Sequence, residues 1–215
     1  MVKSRPVRAA LVVLGCTPIW LLMPVAVAVP SLFLRWREPG QAIEVLTLAI
    51  VPLSAVMLAI LVQGAMSNGI RAASTRRSHV GIQWRAATAI AVGVECSIVA
   101  ATGAVFAVAG LPLPGVIQIS CAAMLVAAML TTVHLWIAVR FSVTLTVAIG
   151  IAGTVTGLLV GGTALQHLWW PFVPWAWAGH IEVSRLVFVV PVAIFTTVVA
   201  WVLLSRAKLS AAPEG

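Results

Sequence analysis

Acid–base or nucleophilic chemistry needs two or more reactive side chains within reach of each other, and this chain offers few candidates. Its carboxylates are Glu38, Glu44, Glu95, Glu182 and Glu214, with no Asp, and no two are spaced to suggest a paired acid and base. The phosphate-cradling pattern G-x-x-x-x-G-K, the zinc pattern H-E-x-x-H and the nucleophile elbow G-x-S-x-G are all absent. No catalytic residue, no metal ligand and no cofactor of its own is therefore assigned. Cys16, Cys96 and Cys121 are odd in number, lack C-x-x-C spacing and lie in apolar runs, which argues against a disulfide framework or a zinc site. Two polar residues interrupt apolar stretches: Glu95 in "VGVECSIVA" and His134 in "TTVHLWIAV". A charge at mid-bilayer depth costs about 2.5–3.5 kcal/mol on insertion scales, so something has to offset it. Either Glu95 meets a cationic substrate or a proton, or it is protonated and hydrogen-bonded to a neighbouring helix. His134 has no second His near it and is better suited to packing or snorkelling than to metal binding. A small intramembrane enzyme around Glu95 and His134 is the one catalytic reading these residues leave.

The densest group of distinctive side chains is aromatic. The stretch "QHLWWPFVPWAWAGH", Gln166 to His180, carries Trp169, Trp170, Trp175 and Trp177, four of the nine Trp in the chain, with Pro171, Phe172 and Pro174 among them. Indole favours a membrane interface, where its ring is half apolar and its N–H is wet. The two prolines prevent a continuous helix and favour a re-entrant or flat-lying segment. Such a segment is either an aromatic belt or a defined structure. In the second case its rings cap the outer mouth of a cleft, or touch an amphipathic cationic peptide through apolar and cation–π contacts. Four Trp with two Pro in nine residues exceed what a belt requires.

The elements that hold these residues follow from composition. Of 215 residues 62% are hydrophobic and 8% charged, against roughly a quarter charged in ordinary soluble domains. Such a chain uses lipid as its solvent, and a span needs about 20 apolar residues as a helix. Six stretches qualify, near Ala9–Leu34, Val45–Met66, Ala86–Ala109, Leu113–Ala138, Ser142–Gly162 and Leu186–Ser205. The expected architecture is an all-α polytopic membrane protein, one six-span domain over residues 1–215. Its cytoplasmic loop is 67–85 and its outer loop 163–185. Ala26-Val27-Ala28 offers a signal-peptidase site, but the apolar run continues to Leu34 and removal would leave five spans. The first span is therefore read as retained, with Pro18, Pro24 and Pro30 bending it. With the N-terminus inside, the thirteen Lys and Arg divide ten inside to three outside, which places both termini in the cytoplasm. The net charge of +8 punctuates apolar runs, so it reports topology and no nucleic-acid partner.

Two further features bear on partners. Gly153, Gly157 and Gly161 recur at intervals of four on one face of the fifth span, where they let another backbone approach closely, within the chain or across a subunit seam. The loop "SNGIRAASTRRSHVGIQWRAATA" is basic, and reads as a short interfacial helix capped by Ser78, with Trp84 at headgroup level and Arg85 facing lipid phosphates. Arg76, Arg77, Ser78, His79, Gln83, Trp84 and Arg85 then form a surface for a cytoplasmic partner.

This layout resembles the membrane subunits of ABC-2 type exporters, which have six spans, cytoplasmic termini and a coupling element between the second and third helices. That element often reads S-P-x-S-R-W-x-L-x-x-K; "RRSHVGIQWRAATA" is similar in layout, not in letters, and lacks the acidic run that usually precedes it. The outer loop is the more specific likeness. Trp170-Pro171-Phe172-Val173-Pro174-Trp175 matches the W-P-F-x-x-P-W pattern that is common between spans five and six of small permeases from lantibiotic self-protection transporters. The resemblance implies a permease in a bacterial cytoplasmic membrane, moving an amphipathic molecule such as an antimicrobial peptide. It further implies a separate ATP-binding subunit that carries ATP and Mg, and a second permease, identical or similar. The alternative is a non-transporting membrane sensor, assembly factor or interaction protein built on the same bundle.

Overall fold

A computed structural model describes residues 12, 14–15, 19–36, 38–72, 80–163, 165–179 and 183–206. Among them the regular structure is helical, with no strand. The order is α1 (Ile19–Trp36), α2 (Pro39–Glu44), a π-helical segment (Val45–Ile50), α3 (Val51–Ala72), α4 (Val80–Val108), α5 (Leu113–Arg140), α6 (Val143–Gly161), the short α7 (Gln166–Trp169), two 3-10 segments (Trp170–Phe172 and Pro174–Gly179) and α8 (Val183–Arg206). Five stretches are long and apolar enough to cross a membrane: Pro39–Asn68, Ile82–Val108, Leu113–Arg140, Val143–Gly161 and Ser184–Arg206. These correspond to the second through sixth expected spans. For the first, the described apolar helix is the shorter Leu21–Arg35. Pro24 and Pro30 sit inside α1 without interrupting it, and Pro18 lies outside the described residues.

α5 is the hub. It packs against α3, α4, α6 and α8 and against the second 3-10 segment. Its buried residues, Ala122, Ala123, Leu130, Thr132, Leu135 and Ala138 among them, fall on every side of the helix, and a helix apolar all round belongs in the centre of a bundle. α8 is peripheral, with 17% of its span buried against 61% for Pro39–Asn68. In lipid that exposed apolar face is in its proper solvent.

The turns are written locally. Gly110, at φ +91°, ends α4: Gly110 N–H bonds Ala107 O at 3.1 Å and Leu111 N–H bonds Phe106 O at 3.1 Å. This is a Schellman closure, whose left-handed position favours glycine. Pro112 and Pro114 then open α5, where the missing N–H costs nothing. Ser142 caps α6 by accepting from Leu145 N–H at 3.0 Å. The π-helical segment has a cause in the next turn: Pro52 has no N–H to give, and Val51 N–H reaches Leu46 O, five residues back. The second span therefore begins at Pro39, six residues before the expected start, and is widened partway along.

The expected interfacial helix is corrected by the fold. Residues from Val80 onward are the first turns of α4, continuous with the span. Trp84, expected at headgroup level, is only 1% exposed and packs with Leu58, Ala59, Val62 and Leu135. A bulky apolar ring at a helix–helix contact gains more dispersion contact than it would on the bundle surface. Arg85 is exposed and Gln83 half-buried, while Arg76, Arg77, Ser78 and His79 lie outside the described residues.

Candidate functional site

The Trp/Pro stretch folds as three short pieces because its prolines permit nothing longer. α7 ends at Trp169, Pro171 opens a single 3-10 turn, and Val173 N–H closes it on Trp170 O at 3.2 Å. Pro174 starts the second 3-10 segment, in which Ala176 N–H bonds Val173 O at 2.9 Å. The four indoles then part company. Trp169 is 56% and Phe172 76% exposed, and their rings meet edge to face at 6.3 Å. Val173, Ala176, Trp177 and Ala178 are buried, and Trp170 and Trp175 are half-buried. One edge of the loop suits an aromatic belt; the rest is packed into the bundle.

Trp175 goes deepest, and the glycine stripe of α6 is its seat. A Cβ on Gly153 would run into the Trp175 indole at Cε2, Cδ2 and Cζ2. One on Gly157 would stand 2.8 Å from Trp175 Cβ and 3.1 Å from its backbone carbonyl carbon. Gly161 does the same for Leu48 of the π-helical segment, at 2.8 Å, and Gly179 in the loop meets Leu48 at 2.7 Å. The stripe, expected to let another backbone approach, admits the second 3-10 segment at Gly153 and Gly157 and Leu48 of the second span at Gly161. Gly153 lies eight residues inside the end of α6, about 12 Å at 1.5 Å per residue. The indole therefore reaches nearly halfway down a 19-residue helix, while the loop backbone comes alongside Gly157, one turn inside the helix end.

Other contacts hold it there. Trp177 Nε1–H donates to Trp170 O at 2.8 Å, which ties the two 3-10 segments together. Trp170 and Trp177 both meet the Phe188 ring of α8 edge to face at 5.8 Å. The Arg185 guanidinium stands 4.9 Å over the Trp170 ring, a cation–π contact at the start of α8. On the far side the Trp175 ring stands 6.0 Å from the His134 ring, at an interplanar angle of 70°. The tertiary structure thus brings together Trp175, Gly153, Gly157 and His134, which the sequence presents as three separate features.

Glu95 has a different partner. It is fully buried, and its Oε1 lies 2.5 Å from Ser54 Oγ of α3. The same Ser54 oxygen lies 2.6 Å from Ile50 O. A hydroxyl has one hydrogen. If Ser54 gives it to the carbonyl, which can only accept, the carboxyl must supply the hydrogen for the shared contact. That count favours the structural reading of Glu95, a protonated side chain bonded to a neighbouring helix. Glu95 Oε2 has no hydrogen-bond partner.

Ser54, Leu48, Phe188 and Arg185 were not legible as parts of this arrangement. Pro52 inside an apolar run was the available signal for a distorted second span. Nothing in the sequence pairs Ser54 with Glu95, since 41 residues separate them. Compared with protein-family models, with curated proteins and with solved structures, the chain matches none.

Proposed function

We propose that the chain is the membrane-spanning permease subunit of a bacterial ABC-2 type exporter, six-span with both termini cytoplasmic, and that the Trp/Pro loop closes the outer end of its pathway. The observation that carries this reading is the seat of Trp175 on Gly153 and Gly157. A belt anchors rings at the interface and has no use for an indole halfway down a helix. Broken helical backbone below the end of a span is tolerated where it is buried in protein or lines a cavity, and transporters use broken segments of this kind along their substrate paths. The loop is held by ring faces, one indole–carbonyl bond and one cation–π contact, with no continuous helix through it. Such contacts can be exchanged for equivalent contacts with an amphipathic cationic molecule, whose apolar face and positive charges suit indole. ATP hydrolysis belongs to a separate subunit that carries ATP and Mg and docks on the basic loop. A second permease, the same or similar, completes the pathway, and rocking of the two bundles gives alternating access.

The test is growth against a cationic amphipathic peptide, in cells matched for membrane abundance of the protein. Trp175→Phe and Pro174→Ala should each lower resistance, the first by removing the indole N–H and ring area, the second by letting the segment continue as helix. Wild-type resistance in both variants would turn the assignment toward a non-transporting membrane interaction protein.

A further inference from the structure

Where the Trp175 ring meets the His134 ring, polar atoms are left without partners. Thr131 and His134 lie three residues apart on α5, on one face, and both are fully buried. His134 Nδ1 stands 2.7 Å from Leu130 O. A carbonyl only accepts, so Nδ1 carries the hydrogen, and in the neutral ring Nε2 presents a lone pair. That nitrogen is buried and has no partner, and the same holds for Trp175 Nε1 and Thr131 Oγ1. Thr131 is unlike its neighbours in this. Thr132, Thr146 and Thr154 turn their hydroxyls onto the carbonyl one turn back, at 2.7, 2.9 and 2.7 Å. Buried polar groups in folded proteins are mostly paired, and an unpaired one calls for an explanation such as a bound water or ligand.

We propose that Thr131, His134 and Trp175 form a buried binding site for a neutral hydroxyl group. The indole N–H donates, the imidazole nitrogen accepts, and the threonine does either. An anion would face the Nε2 lone pair and a cation would face the indole N–H, so each is opposed at one point. One oxygen that donates to His134 and accepts from Trp175 satisfies both. The two rings meet edge to face with centroids 6.0 Å apart, and the bridging oxygen sits beside that contact. Water and the hydroxyl of an amphiphile share this chemistry. The site follows from the packing of loop on helix and does not depend on transport.

Full-length chain labelled with 15N-tryptophan, in perdeuterated alkyl-phosphocholine micelles that carry no hydroxyl, provides the test. The Trp175 indole resonance is the one lost in Trp175→Phe. If water is the occupant, that indole proton shows a direct cross-peak to water. If an amphiphile supplies the hydroxyl, titration with 1-octanol shifts the resonance saturably. Either result supports the site and tells the two sources apart. In His134→Phe both effects should vanish while the remaining indole resonances keep their positions. Thr131→Val, which keeps the side-chain shape, should weaken the cross-peak or raise the octanol midpoint several-fold, and serves if His134→Phe does not fold. Absence of both effects in the wild-type protein would overturn the proposal, as would their persistence in a folded His134→Phe.

Discussion

A methyl group added at Gly153 or Gly157 tests the loop's seat most directly. At Gly157 the new Cβ would stand 2.8 Å from Trp175 Cβ and 3.1 and 3.2 Å from its backbone carbonyl carbon and oxygen. Backbone cannot rotate out of the way, so the loop itself has to move by several tenths of an ångström. Overpacking of this kind costs about 1–3 kcal/mol. Against it stands the helical preference for Ala over Gly, about 0.8–1.0 kcal/mol in water, so the net expectation is a loss of up to about 2 kcal/mol. At Gly153 the obstacle is the indole ring, whose removal relieves it. Trp175→Ala alone should cost about 3–5 kcal/mol by opening a cavity. Added to that background, Gly153→Ala should turn neutral or stabilising, giving a coupling of about 1–3 kcal/mol between the two positions. Gly93→Ala is the control, since nothing stands within 4 Å of its added Cβ. The assay is reversible unfolding in mixed micelles of a mild detergent and dodecyl sulfate, over the four corners of the cycle. Additive effects at Gly153 and Trp175, or a Gly157→Ala protein as stable as Gly93→Ala, would show that Trp175 does not rest on the stripe.

Four further outcomes are expected. Glu95→Gln should keep its fold and most of its peptide resistance, because an amide can still bond Ser54; complete loss of resistance in a normally folded protein would instead give Glu95 a charge-based contact with substrate. Ser54→Ala should lower stability in the same unfolding assay by about 0.6 kcal/mol, the average for interhelical bonds in a membrane protein, and by at most about 1.7; an unchanged value would remove the Ser54–Glu95 pairing. Arg76→Glu with Arg77→Glu should weaken co-purification of an ATP-binding subunit at unchanged topology, and undiminished association would remove the docking role. Gly110→Ala should cost about 1–2 kcal/mol by placing a Cβ in the left-handed region, read as a lower unfolding midpoint; an unchanged midpoint would mean that the turn after Val108 is not the one described.

The basic loop shows where local reading goes astray. Trp84 beside Arg85 has the composition of an interface anchor, and an aromatic ring next to a cation at a span end is a sound local signal. Its neighbours in space, Leu58 and Leu135, come from two other helices, and their packing takes the ring into the bundle. The residue is the same in both accounts; only the partners differ.

Class and connectivity lay in the sequence, because lipid imposes a one-dimensional rule: each crossing is a long apolar run that satisfies its own backbone. Five of the six expected runs are present as helices long and apolar enough to cross a membrane, and their turns are set by nearby residues, Gly110 with Pro112 in one case and Ser142 in another. The prolines of the Trp stretch likewise announced a broken segment, since the loss of an N–H acts within one turn. What joined these features was decided only in three dimensions. The glycine stripe required a close neighbour but could not name it, because a missing side chain specifies space and not its occupant. Trp175 fills that space together with Leu48, which the widened turn before Pro52 brings to the same helix face. His134 and Glu95 looked alike as lone polar residues in apolar runs. Tertiary packing gave one the side of an indole and the other the hydroxyl of Ser54, for contacts between helices depend on rotation and register that no single span encodes.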